Sequence, residues 1–167
     1  MMPAYAISQN EVEALAIQIA EGMVKLIAVD YNWGPPVSDR YDTDFLRIWA
    51  VAQSDGSAGK VCLQGTGVNN DWSIDTELQF QKTIKDSYGL FYLELGYQYE
   101  FPTQFVIRFD AGDGNQYYDN NGRYGRDYHL VPYHYRGVSA ISGSDAIFLL
   151  PAISPVQLYW KTVRREA

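Results

Sequence analysis

The chain has 167 residues, of which 47% are hydrophobic and 20% charged, and a formal net charge of -7. That length and balance suit one globular domain with a sizeable core, and the negative charge argues against nucleic acid or an anionic membrane surface as a partner, since both are held by Lys and Arg. A single cysteine, Cys62, leaves no intrachain disulfide to staple the fold.

The first periodic segment spans 8–28. Ser8 stands three residues before Glu11, the spacing of a capping box. Val12, Leu15, Ile19, Met23 and Leu26 then recur at three- and four-residue intervals, which predicts an amphipathic helix packed on the rest of the chain. From 30 to 40 the sequence predicts a loop, because Gly34, Pro35 and Pro36 break regular structure.

Beyond that the pattern turns to strands. Segments 45–51, 60–66, 78–84, 89–96 and 104–110 carry β-branched and aromatic residues between turn-forming clusters. In the last of these Phe105, Ile107 and Phe109 share one face. A glycine-bearing turn over 111–115 leads to a return strand beginning at 116. Residues 128–135 read as extended, 137–145 as a loop, and 146–150 and 156–163 as two further strands. Short strands at regular spacing predict a mainly β, antiparallel sandwich. The expected organisation is a single domain over 1–167, with the helix at 8–28 and the sandwich at 44–165.

Searching for chemistry removes most enzyme classes. His129 and His134 are five apart in an extended segment, so they would fall on opposite faces, and no Cys/His cluster suits zinc. No nucleophile elbow or phosphate-binding glycine loop is present. Cys62 sits in an apolar alternation and reads as a buried structural thiol. Asp110, Asp113, Asn115 and Asp119 offer oxygens that calcium could use, but their spacing is not that of an EF-hand, and a hydrated hairpin turn accounts for them. No catalytic residue, no metal and no cofactor is expected. No apolar run is long enough to span a bilayer, and no basic stretch followed by an apolar one opens the chain, so the expected location is cytoplasmic.

What stands out is tyrosine. Ten of the 14 tyrosines fall between Tyr88 and Tyr135. They cluster with amides and acids in the run 117–128, YYDNNGRYGRDY. Flat aromatic rings stack on the apolar faces of sugars, while Asn, Asp and Arg bond the hydroxyls, so this run is a candidate carbohydrate surface. The alternative is an assembly surface or a lectin- or toxin-type subunit, with a protein partner or a homo-oligomer, because interfaces also use exposed Tyr and Trp.

The segment Phe105-Val106-Ile107-Arg108-Phe109, its turn, and then Tyr118-Asp119-Asn120-Asn121 and Asp127-Tyr128 resemble the closing signature of starch- and glycogen-binding modules, carbohydrate-binding module families 21, 25 and 53. Upstream, 46–51, Lys60 to Leu63 and Asp71-Trp72 follow a similar order, so the resemblance covers about 44–130. It implies an immunoglobulin-like β-sandwich that binds polysaccharide or oligosaccharide of α-glucan type without catalysis. It further implies ring stacking on Trp72, Tyr118 and Tyr124, hydroxyl bonding by Asn120, Asn121 and Asp127, and Tyr128 at or near the site.

Overall fold

Alternation of side chains explains most of the architecture. In the strand Phe45–Ala52, Leu46, Ile48, Ala50 and Ala52 point to one buried cluster, while Trp49 and Val51 point to another on the opposite face. A strand with apolar residues on both faces must be covered on both. Here one side is covered by a second layer of strands and the other by a helix. The computed structural model describes residues 7–33, 45–67, 71–96, 98–121, 127–130, 133–141 and 148–149.

In chain order the described elements are helix α1 (Gln9–Ile19) and the strands β1 (Val24–Trp33), β2 (Phe45–Ala52), β3 (Lys60–Thr66), β4 (Ile74–Thr83), β5 (Gly89–Gly96), β6 (Gln104–Asp110), β7 (Gln116–Asp119), β8 (Tyr128–Leu130), β9 (Tyr133–Ile141) and β10 (Phe148–Leu149). The strands form one continuous sheet, ordered β10-β8-β6-β3-β4-β5-β2-β1-β9, with β7 also paired to β6. Pairing is antiparallel except between β10 and β8. β4 is the corner. Its first half pairs with β3, from Ile74 opposite Gly65 to Leu78 opposite Val61. Its second half pairs with β5, from Gln79 opposite Tyr92. A strand that changes partners half-way along is how one sheet becomes two facing layers.

The main core lies between those layers. Leu26, Val29 and Tyr31 from β1, Phe91, Leu93 and Leu95 from β5, and Phe105, Ile107 and Phe109 from β6 meet there. Helix α1 lies on the outer face of β1 and β2, where Val12 and Ala16 join Ile27, Ala28, Trp49, Val51 and Leu90. Ser8 caps the helix by accepting the Glu11 N–H at 3.1 Å. The mainly β, antiparallel sandwich with an N-terminal helix is therefore the fold observed.

The boundaries depart from expectation at both ends. The helix expected over 8–28 stops at Ile19, and Val24 already begins β1. β1 continues through Trp33, across part of the loop expected over 30–40; positions 34–40 lie outside the described residues. The run 26–29 is apolar because β1 is buried on both faces there, so with Met23 it mimicked a continuing helical stripe. A bulge between Leu26 and Ala28 turns Ile27 and Ala28 together toward the helix. β9 occupies part of the loop expected over 137–145 and pairs with β1, Asp30 lying opposite Ser139. His129 and His134 consequently sit in different strands, not on two faces of one. The strand expected over 156–163 lies outside the described residues.

Candidate functional site

The run singled out in the sequence begins as β7. The turn before it closes through Ala111 N–H to Asn115 O at 2.9 Å, and Gly114 takes a left-handed φ of 88° to make it. The backbone N–H of Asn115, then its side-chain amide, hold the Asp113 carboxyl below the ordinary range. β7 then pairs with β6, placing Tyr117 opposite Phe109 and Tyr118 opposite Arg108. Alternation separates the two tyrosines. Tyr117 turns inward against Phe109, with ring centroids 6.3 Å apart. Tyr118 turns outward with half its surface exposed, and its hydroxyl donates to Gln116 Oε1 at 3.1 Å.

Beneath Tyr118, Asp119 is buried and bonded to three segments. Its Oδ2 accepts the Leu26 N–H of β1 at 2.7 Å. The Tyr128 hydroxyl donates to the same carboxyl at 2.9 Å, and Asn121 N–H donates to Oδ1 at 3.2 Å. The Tyr128 ring stacks on Phe105 at 5.5 Å. Asn121 adopts a left-handed φ of 75°, which Asn tolerates better than most residues, and its Nδ2 donates to Asp127 O at 3.0 Å. Asp127 N–H returns to Asn120 O at 3.1 Å, while Gln104 Nε2 donates to Asp127 Oδ2 at 2.7 Å.

This network places the residues of the sequence-based site at different depths. Asn121 and Tyr128, expected at the ligand, are buried and hold the edge together. Asp127 is half-buried, with one carboxylate oxygen bonded to Gln104. Asn120 is exposed. Tyr124 lies outside the described residues. Trp72 is 45% exposed in the bend before β4.

Trp72 and Tyr118 are not neighbours. β7 and β4 are separated by β6 and β3. Three inter-strand steps amount to about 14 Å. Ile74 is level with Gly65 and Phe105, so Trp72 projects to the level of Thr103, five residues before Arg108, the partner of Tyr118. Five residues add about 17 Å along the strands. The two aromatics therefore offer separate contact points on one ladder.

On the outer face, opposite Tyr118, lies Arg108. Its guanidinium grips Asp75 at 3.0 Å and Asp110 at 2.9 Å. Burial alone would lower its pKa, but the two aspartates more than offset that and hold it above the ordinary arginine value. Asp110 is thereby bonded to Arg108 and Gln116, and Asp119 faces inward, so the acidic residues of this turn do not converge. Cys62, level with Arg108 on β3, is buried, and that burial pushes its thiol pKa up.

Tyr118 also borders a groove of about 420 Å³. The facing wall is the corner between α1 and β1, including Glu21, Gly22 and Lys25. Sequence spacing missed this wall because the helical stripe was read through it. Gly22 followed by the β-branched and aliphatic run from Val24 was the signal of a helix stop.

Together these features define an antiparallel β-sandwich carrying exposed aromatics on one pinned edge and one connecting bend. No protein-family model matches the sequence, and no curated protein matches it. Among solved structures the chain is similar to the starch binding domain of Rhizopus oryzae glucoamylase, described in complex with beta-cyclodextrin and maltoheptaose. The TM-score is 0.51 with 16% identity, over 68% of this chain and 96% of that one. The likeness is one of fold: the two chains share a β-sandwich architecture.

Proposed function

We propose that this protein binds carbohydrate without catalysis, and that its ligand is an α-glucan of the starch or glycogen type. The observation that carries the reading is Tyr118. Its ring is held half-exposed beside a groove by an edge that Asp119 fastens from below. Rigid aromatic groups on a preformed edge lose little freedom on binding, which favours stacking. The shared fold with a domain seen with cyclic and linear malto-oligosaccharides supports the choice of ligand class. The sequence resemblance to modules of families 21, 25 and 53 supports it independently.

In this reading Tyr118 stacks on the apolar face of a glucose unit. Asn120 and the free oxygen of Asp127 bond hydroxyls, and Tyr124 is assigned a stacking role from the sequence resemblance alone. Trp72 forms a second contact about 20 Å away on the strand spacings, so a long glucan engages both and gains by avidity. Affinity electrophoresis through gels containing glycogen or soluble starch tests the proposal. Retardation of the protein, weakened by Trp72→Ala and by Tyr118→Ala and lost in the double variant, is expected. Migration unaffected by polysaccharide would sink it.

A further inference from the structure

The corner between α1 and β1 faces Tyr118 across the groove, and it is built as a fixed wall. Helix α1 ends with Ala20 N–H bonded to Ala16 O at 3.0 Å. Gly22 then turns the chain with a φ of 64°, and nothing stands within 4 Å of the place a Cβ would occupy, so its Cα borders open space. The corner is pinned from behind. The Tyr88 hydroxyl donates to Gly22 O at 2.8 Å, Gln53 Nε2 donates to that hydroxyl at 3.1 Å, and Gln53 N–H donates to Met23 O at 3.0 Å. The opposite wall is fixed by the Leu26–Asp119 bond at 2.7 Å. The space between, about 420 Å³, falls within the roughly 300–1,000 Å³ of small-ligand sites.

The lining chemistry selects the occupant. Lys25 Nζ lies 3.3 Å from Glu21 Oε1, and the Glu21 side chain is 72% exposed. The Lys25 side chain is only 16% exposed and stays in place, while the solvated Glu21 end of the pair turns toward a ligand at little cost. A lone anion would meet Glu21 as well as Lys25, and a lone cation would meet Lys25 as well as Glu21. A neutral hydroxyl both donates and accepts, and so satisfies the two together. With the Tyr118 ring on one wall and Asn120 above it, the groove suits a polyhydroxylated ring.

The geometry points to this groove as a further sugar subsite, in which Lys25 and Glu21 bond the hydroxyls of the glucose unit next to the one stacked on Tyr118. The assignment rests on the α-glucan reading above. Calorimetric titration with maltoheptaose separates the two claims. Lys25→Met and Glu21→Gln are each expected to weaken binding about fivefold, the worth of one net hydrogen bond. Maltoheptaose is also expected to slow reductive methylation of Lys25 in the unaltered protein while leaving Lys82 unprotected. If the unaltered protein binds and Tyr118→Ala weakens binding, but both corner variants bind normally and Lys25 is unprotected, the subsite is wrong and the function stands. If the unaltered protein binds no malto-oligosaccharide, both fall.

Discussion

The Asp119 carboxyl joins a backbone N–H 93 residues away, a tyrosine hydroxyl and the turn that follows it. Removing it strands those donors in the interior, and unsatisfied buried groups cost more than the bonds contribute. Asp119→Ala should therefore destabilise the fold by about 3 kcal/mol, while Tyr128→Phe, which keeps the ring on Phe105, should cost about 1 kcal/mol. Urea unfolding measures both as a lowered midpoint at constant slope. Equal, negligible effects would contradict the clasp. The sequence displayed Tyr117, Tyr118, Asn121 and Tyr128 as one polar cluster, and alternation along β7 could place Tyr118 outside. It could not reveal that Asn121 and Tyr128 turn inward, because the group that draws Tyr128 in, Asp119, is itself held by β1. Cys62 was legible, since its alternation with Val61 and Leu63 implied burial. Its pKa is raised, so at a given pH it holds less thiolate than a free thiol and reacts more slowly. An aromatic disulfide reagent at pH 8 should label it slowly in the native protein and quickly in urea. Rapid native labelling would contradict its burial.

Among the elements, β3, β5 and β6 were readable to within a residue or two because each sets a row of apolar residues on its core face at period two, and β2, apolar on both faces, was readable from its β-branched and aromatic content and the turn cluster that follows it. β1 was not. Its burial between the core and α1 removes the alternation, and Met23 and Leu26 fall by chance at helical spacing after Ile19. The true helix has 11 residues, too few to persist without its packing. Its Ser8 cap should matter locally. Ser8→Ala should cost the helix about 1 kcal/mol. Native-state hydrogen exchange is then expected to quicken severalfold over 9–19 while the amides of β2 and β5 stay unchanged. Uniform acceleration across the sheet would show that α1 and the sandwich open as one unit.

At the scale of the whole molecule, the net charge of -7 disfavours polyanionic partners, and the exposed aromatics are what the proposed carbohydrate reading uses. The sandwich sets Tyr118 and Trp72 apart on one ladder, and the proposed function requires a chain-like ligand to reach both. The spacing was hidden in the sequence, where the two residues are separated by 46 positions, and it emerges from the order β7-β6-β3-β4. Affinity electrophoresis in glycogen tests this most directly. The account predicts that the unaltered protein is retarded, that Trp72→Ala and Tyr118→Ala are each retarded less, and that the double variant runs as in a gel without polysaccharide. A protein that migrates identically with and without glycogen, or a double variant retarded as strongly as the unaltered chain, would contradict it.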